Sequence, residues 1–185
     1  SAAALAQIGG RGSALHSVWH AAILKRRGVP LWPPKVFRLV GGNQTLTEIM
    51  YRLFLGSLGY AKDLDLAELE IGLESDGRLD AFEAAFLEVS GNDWDERKGI
   101  VAFAMSEASA AMHRLQPEVY PTPTAWSDGN KGKADINPGQ LAKRVTALTA
   151  RRKPGHAVMF VIDEVGQFVA HDVQKMLDLQ AVVQQ

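Results

Sequence analysis

The chain has 185 residues, 46% of them hydrophobic and 22% charged, with a formal net charge of -1, an ordinary globular composition long enough for one domain with a real core. That charge argues against a chain built mainly to neutralise a phosphate backbone, and the lack of cysteine excludes disulfides and thiolate metal sites. No apolar run approaches the roughly 18 residues of a membrane span, and no signal-peptide pattern opens the sequence, so a cytoplasmic chain with no membrane partner is expected.

The chain opens in SAAALAQ and stops at AVVQQ, which reads as a piece of a longer polypeptide. Ser13 to Arg27 has Leu15, Val18, Trp19, Ala22 and Ile23 at helical spacing, with Ser13 as N-cap and Lys25, Arg26 and Arg27 in the last turn. His16 and His20 would share a face of that helix, but no glutamate between them completes a zinc motif, and surface histidines are the better reading. Gly9 to Ser17, GGRGSALHS, has the glycines of a phosphate loop, G-x-x-x-x-G-K-[ST], yet Leu15 stands where the lysine must reach the phosphates. Asp128 to Lys133, DGNKGK, has the wrong glycine spacing and reads as a polar loop.

Leu31 to Pro34, LWPP, cannot be helical, and Lys35 to Val40 follows as a short strand turned by Gly41, Gly42 and Asn43. Thr45 and Glu48 form a T-x-x-E start to a helix reaching Leu58, with Leu46, Ile49, Met50, Leu53, Phe54 and Leu58 on one stripe and Gly59 as its stop. Leu64 to Val89 reads as a helical hairpin turning at Asp76 and Gly77, with Glu68, Glu70, Glu74, Asp80, Glu83 and Glu88 mostly on a solvated face. Asn92 or Asp93 caps a further helix expected to run through Trp94 to Leu115.

Gln116 to Lys133, rich in proline and glycine, reads as a surface loop. Asn137, Pro138 and Gln140 then cap a helix to Arg152 with Leu141, Val145 and Leu148 inward. Arg151, Arg152 and Lys153 end it as dipole complement, or as a phosphate or nucleic-acid contact. The run Ala157 to Ile162 reads as a strand buried in a parallel sheet. Asp163 and Glu164 follow at its carboxyl end, where ligands bind in open α/β sheets. A last helix, from His171, is expected to turn Val173, Met176, Leu177 and Val183 inward.

An apolar strand ending in Asp-Glu has the form of a Walker B element. The stretch FVIDEVGQF with QKMLDLQAVVQ resembles the large P-loop ATPase of BREX phage-exclusion systems, the BrxC/PglY family. LFLGSLGYAKDL, FEAAFLEVSGNDWDERKG and DINPGQLAKRV look like the region this family places between its phosphate loop and Walker B strand, so the likeness spans roughly 35–184.

The resemblance implies that Asp163 is the Mg²⁺-associated acid, acting through water and contacting the ATP-bound cofactor, and that Glu164 is the catalytic acid orienting the attacking water. It implies an α/β fold: a mostly helical fragment of a P-loop NTPase domain with two short parallel core strands and a helical insertion. The expected division is an N-terminal helical segment 1–34 and a partial ATPase domain 35–185, with the insertion at 65–116, a loop at 117–134 and the Walker B strand at 157–164. ATP and Mg²⁺ are the cofactors of the parent protein, and weak or absent binding is expected of this chain alone. Implied partners are nucleotide, other phage-defence proteins, DNA in the full complex and, through open sheet edges, further copies of the chain. The alternative is a non-catalytic helical interaction module on a P-loop-like scaffold. A nucleic-acid-binding domain, resting only on the two basic clusters, is weaker.

Overall fold

The computed structural model describes residues 2–8, 31–37, 44–162, 169 and 172–184, and among these the chain is mostly helical. The elements are β1 (Ala2–Ile8), β2 (Leu31–Phe37), α1 (Leu46–Leu58), α2 (Leu64–Ser75), α3 (Leu79–Ser90), α4 (Trp94–Arg97), α5 (Val101–Leu115), α6 (Ala125–Asn130), α7 (Pro138–Arg152), β3 (His156–Ile162) and α8 (Val173–Val183). They divide into two compact units, one of Ser1–Leu58 with Ile136–Gln185 and the other of Gly59–Asp135. The helix expected at 13–27 lies outside the described residues.

The first unit holds a three-stranded parallel sheet in the order β2-β1-β3. The two strands expected from sequence are therefore not neighbours, because β1 runs between them. Its Ala-rich composition hides it, alanine being a helix former that strands disfavour. Strand β2 begins four residues before the expected Lys35 and contains both prolines. Its pairing jumps from Ala4 with Trp32 to Ala6 with Lys35, so Pro33 and Pro34 together oppose one residue of β1. Proline has no N–H for a ladder, and a bulge on an outer strand is where a sheet tolerates it.

Helix α1 starts as its sequence dictates, with Thr45 Oγ1 accepting from the backbone N–H of Glu48 at 3.1 Å. The Glu48 carboxylate pairs instead with Arg52, one turn on. Leu46, Met50, Phe54 and Leu58 form one buried i,i+4 row, and Thr47, Tyr51 and Leu55 form the next. The buried stripe is thus turned toward Tyr51 and Leu55 and away from Ile49 and Leu53. Gly59 ends the helix at φ 88°, and Arg152 donates from Nη1 to the Leu58 carbonyl at 2.9 Å, satisfying an acceptor the helix leaves open. Helix α7, which packs on α1 and β3, opens with a full capping box: Asn137 Oδ1 accepts from the Gln140 N–H at 2.9 Å and Gln140 Oε1 from the Asn137 N–H at 3.0 Å.

The second unit is built around α2, whose buried residues Leu64, Asp65, Leu66, Ala67, Leu69, Glu70 and Leu73 encircle it. Asp63 caps it, its Oδ1 accepting from the N–H groups of Asp65 and Leu66 at 3.1 and 3.2 Å. Phe82 and Phe86 of α3 meet Trp94 edge-on, with ring centroids 5.1 and 5.0 Å away, in the T-shaped geometry that aromatic quadrupoles favour. Helix α5 packs along α3 and buries Ala104, Ala108 and Ala111, small side chains that let two helices approach closely.

The single helix expected from Trp94 to Leu115 is two. The chain leaves α4 after Arg97 and restarts α5 at Val101. Asp93 makes the cap, accepting from the N–H of Asp95 at 2.8 Å. Arg97 then closes the break with a two-pronged ion pair to Glu107, Nε to Oε2 at 2.8 Å and Nη2 to Oε1 at 2.7 Å, and lies over the Phe103 ring.

The stretch expected as a loop at 117–134 contains α6, with Trp126 4% exposed. Ser127 N–H donates to Ser109 Oγ at 3.0 Å, and the Asp65 carboxylate accepts from the N–H groups of Gly132 and Ala134 at 2.6 and 2.8 Å. The segment stays largely exposed, as a surface loop would be, and is anchored by the buried Trp126 and by the bonds to Asp65.

The acidic residues expected on a solvated face include one that is 2% exposed, Glu70. Its Oε1 accepts from Trp94 Nε1 at 2.8 Å and from Lys98 Nζ at 3.1 Å, and its Oε2 accepts from the Ala61 N–H. Replacing Glu70→Ala leaves those donors buried without their acceptor, and a loss of about 3 kcal/mol is expected. Urea unfolding checks this; a loss below about 1 kcal/mol contradicts the hub role.

Candidate functional site

Strands β1 and β3 run parallel in unbroken register, from Ala2 beside His156 to Ile8 beside Ile162. Strand β2 ends with Phe37 beside Ile8 on the other flank. Three carboxyl ends therefore share one edge of the sheet, the edge at which open α/β sheets bind ligands. In the sequence, Ile8 is followed by GGRGSALHS, Phe37 by RLVGGN and Ile162 by DEVGQF. The candidate residues Asp163 and Glu164, with Gln167 and the segment 9–30 that carries Leu15, His16 and His20, lie outside the described residues. The strand expected at 157–164 is described as His156–Ile162.

Elsewhere in the first unit, the basic cluster at the end of α7 is engaged locally. Arg152 holds the Leu58 carbonyl, and the Lys153 N–H donates to the Thr149 carbonyl at 2.8 Å. Arg144 lies over the Tyr51 ring and donates to its hydroxyl at 3.3 Å. The Arg152 side chain thus caps the end of α1, and that of Arg144 packs on an aromatic face.

In the second unit the carboxylates divide by burial. Glu70 has both oxygens occupied by donors, which suits a structural anchor. Glu74 accepts from the Tyr60 hydroxyl, and Glu88 pairs with Arg114. Lys98 reaches Glu70, Asp95 and the Gly59 carbonyl. Burial works against its charge, but hydrogen bonds and attraction from Asp95 and Glu70 outweigh it and raise its pKa above the ordinary lysine value. Sequence reasoning missed this hub; the only signal was an acid, Glu70, set among leucines at helical spacing.

Glu83 sits near like charges. Burial, and then Asp95, Asp80 and Asp93, raise its pKa above the usual carboxylate value, while Lys98 opposes them. Among the described residues no group of three or more His, Asp or Glu could hold a metal ion, and no helix is long and apolar enough to cross a membrane. No family model matches the chain, and no solved structure matches it.

A raised folded-state pKa means that the folded protein binds the Glu83 proton more tightly than the unfolded chain does. Its contribution is full below the unfolded value and is lost as pH rises through the folded one. Glu83→Gln should therefore stabilise the protein near neutral pH, by at most about 0.5 kcal/mol after solvent screening, with the advantage vanishing in acid. Thermal melts of both proteins across that range check it; an advantage that grows in acid contradicts it.

Proposed function

We propose that the chain is part of an ATP-binding and hydrolysing protein of a BREX-type phage-defence system, in which Asp163 takes Mg²⁺ through water and Glu164 orients the attacking water. The observation that carries this reading is the in-register parallel pairing of β1 with β3. It sets the strand that precedes the glycine-rich segment directly beside the strand that precedes the acidic pair, so both strands end at the one edge of the sheet where open α/β sheets take their ligands.

The glycine-rich segment departs from the phosphate-loop pattern at the positions that matter chemically. With Gly9 as its first glycine, Ala14, Leu15 and His16 stand where glycine, lysine and a hydroxyl residue belong. Leucine cannot neutralise the β and γ phosphates. Phosphoryl transfer depends on positioning and charge stabilisation, so the expected nucleotide affinity of this chain is low and its turnover negligible.

A second reading has its own support. Gly59–Asp135 forms a compact unit with an aromatic core and a buried ionic hub, which suits a helical module that recognises other defence proteins on a scaffold that does not hydrolyse ATP.

The two readings separate by experiment. The combined replacement Ala14→Gly, Leu15→Lys and His16→Ser should raise Mg-ATP affinity at least about tenfold in calorimetry, since it restores the lysine and hydroxyl of the loop, and a further Glu164→Gln should abolish any turnover gained. No gain in affinity from the triple replacement would favour the interaction module.

A further inference from the structure

Helix α8 turns its apolar stripe away from its own unit. Its inner side packs on α1 and α7 with Leu179, Ala181 and Val182 half-buried. There Asp178 Oδ1 accepts from Thr47 Oγ1 at 2.6 Å, and its Oδ2 accepts from the Thr47 N–H at 3.1 Å. The residues expected to face inward, Val173, Met176, Leu177 and Val183, are 65, 52, 51 and 76% exposed. That expectation fails because Asp178 meets the first turn of α1, where N–H groups lack helical partners and the dipole favours a carboxylate, and the stripe lies on the other side of the helix. The second unit has an exposed apolar patch of its own at the break between α4 and α5, where Ile100, Val101 and Phe103 are 49, 39 and 55% exposed. The Phe103 ring is held beneath the Arg97 guanidinium, itself paired with Glu107.

The two units carry opposite charge. Of the 20 Lys and Arg and the 21 Asp and Glu, residues 1–58 and 136–185 hold 13 and 5, a net +8, and residues 59–135 hold 7 and 16, a net -9. The near-zero total thus hides a strong separation. In the first unit α8 packs on α7, which carries Lys143, Arg144, Arg151 and Arg152 and no acid. In the second unit the apolar patch follows the exposed acids Asp93, Asp95 and Glu96. Complementary charge around an apolar contact steers encounter and suppresses wrong pairings. Two copies joined α8 to α8 would bring together two units of +8, whereas α8 set against the second unit of another copy joins +8 to -9. A nucleic acid would match the first unit and be repelled by the second; another copy of the chain matches both. We propose that the outer face of α8 docks on the Ile100–Phe103 turn of a second copy, head to tail. Such contacts close into a small ring or extend as a chain. The contact does not depend on the nucleotide reading.

Sedimentation velocity on the full chain tests it. The mean mass should rise with protein concentration, and the affinity should fall at least about tenfold between about 50 mM and about 500 mM salt as the paired charges are screened. Met176→Gln with Leu177→Gln in one variant, and Phe103→Gln in another, should each weaken self-association at least about tenfold, the cost of losing a central apolar anchor. Mixed in equal amounts, the two variants should pair one to one, because the first keeps the turn and the second keeps the helix face. A chain that stays monomeric at every concentration in low salt would overturn the proposal, and so would association indifferent to salt. Self-association kept by Phe103→Gln would mean an α8-to-α8 pair and overturn it as well. So would a mixture that stays monomeric while both variants retain the circular dichroism of the original. The first two outcomes need no variant, so a substitution that fails to fold does not shelter the idea.

Discussion

A carboxylate taken out of water must be met by donors, and Glu70 shows how much structure that requirement organises. At 2% exposure it would carry a large desolvation cost if left alone. Three donors from separate places answer it: the Ala61 N–H ahead of α2, the Trp94 indole in α4 and the Lys98 ammonium just beyond. Meeting those donors fixes where α4 lies against α2. It also explains why the chain cannot continue from α4 into α5 as one helix. Lys98 has to turn back toward Glu70, and Arg97 has to turn toward Glu107. The Trp94 indole that donates to Glu70 also packs edge-on against Phe82 and Phe86, which ties the ionic hub to the aromatic cluster.

The same device recurs with shorter acids. Asp65 gathers two N–H groups of the segment after α6, and Asp178 gathers the hydroxyl and N–H of Thr47. In each case a side chain on a regular helix supplies acceptors to backbone that has no partner of its own. The difference lies in what surrounds the contact. Asp65 sits in a unit with a dense core, where its bonds add to packing. Asp178 belongs to a helix that packs against α1 and α7 with its side chains at most half-buried, so there the bonds add to a looser contact.

What could be read in the sequence follows the range of the interactions involved. Helix starts depend on residues three apart, and so Thr45 and Asn137 were legible as caps, with Asp93 as one of two adjacent candidates. The strand at His156–Ile162 was legible because a short run of apolar, partly β-branched residues has few other uses. Glu70 was not, because an acid among leucines looks like any amphipathic helix until the donor 24 residues away in sequence is placed beside it. Nor was β1, whose alanines favour helix locally and pair as a strand only between partners supplied by later parts of the chain. The double proline was read as a breaker of helix; its place in a bulged outer strand depends on β1 and was equally hidden. For the candidate site, the acidic pair and the glycine-rich segment could each be found as motifs, but their relation depends on a strand order that no local pattern encodes.

That strand order bears on the chemistry proposed for the sheet edge. An Asp-Glu pair is a source of negative charge, and a polyphosphate brought to it is repelled unless cations intervene. In a complete P-loop site the lysine and the magnesium ion share that task, with the loop N–H groups completing the cradle. On the proposed reading, Leu15 removes the lysine and His16 the hydroxyl that holds the metal, while the acids remain. The balance left to this chain is then more negative than a working site, and magnesium alone must offset it. Such an edge would favour the metal over the nucleotide. A polyphosphate would be held there only where another protein surface supplies the missing positive charge.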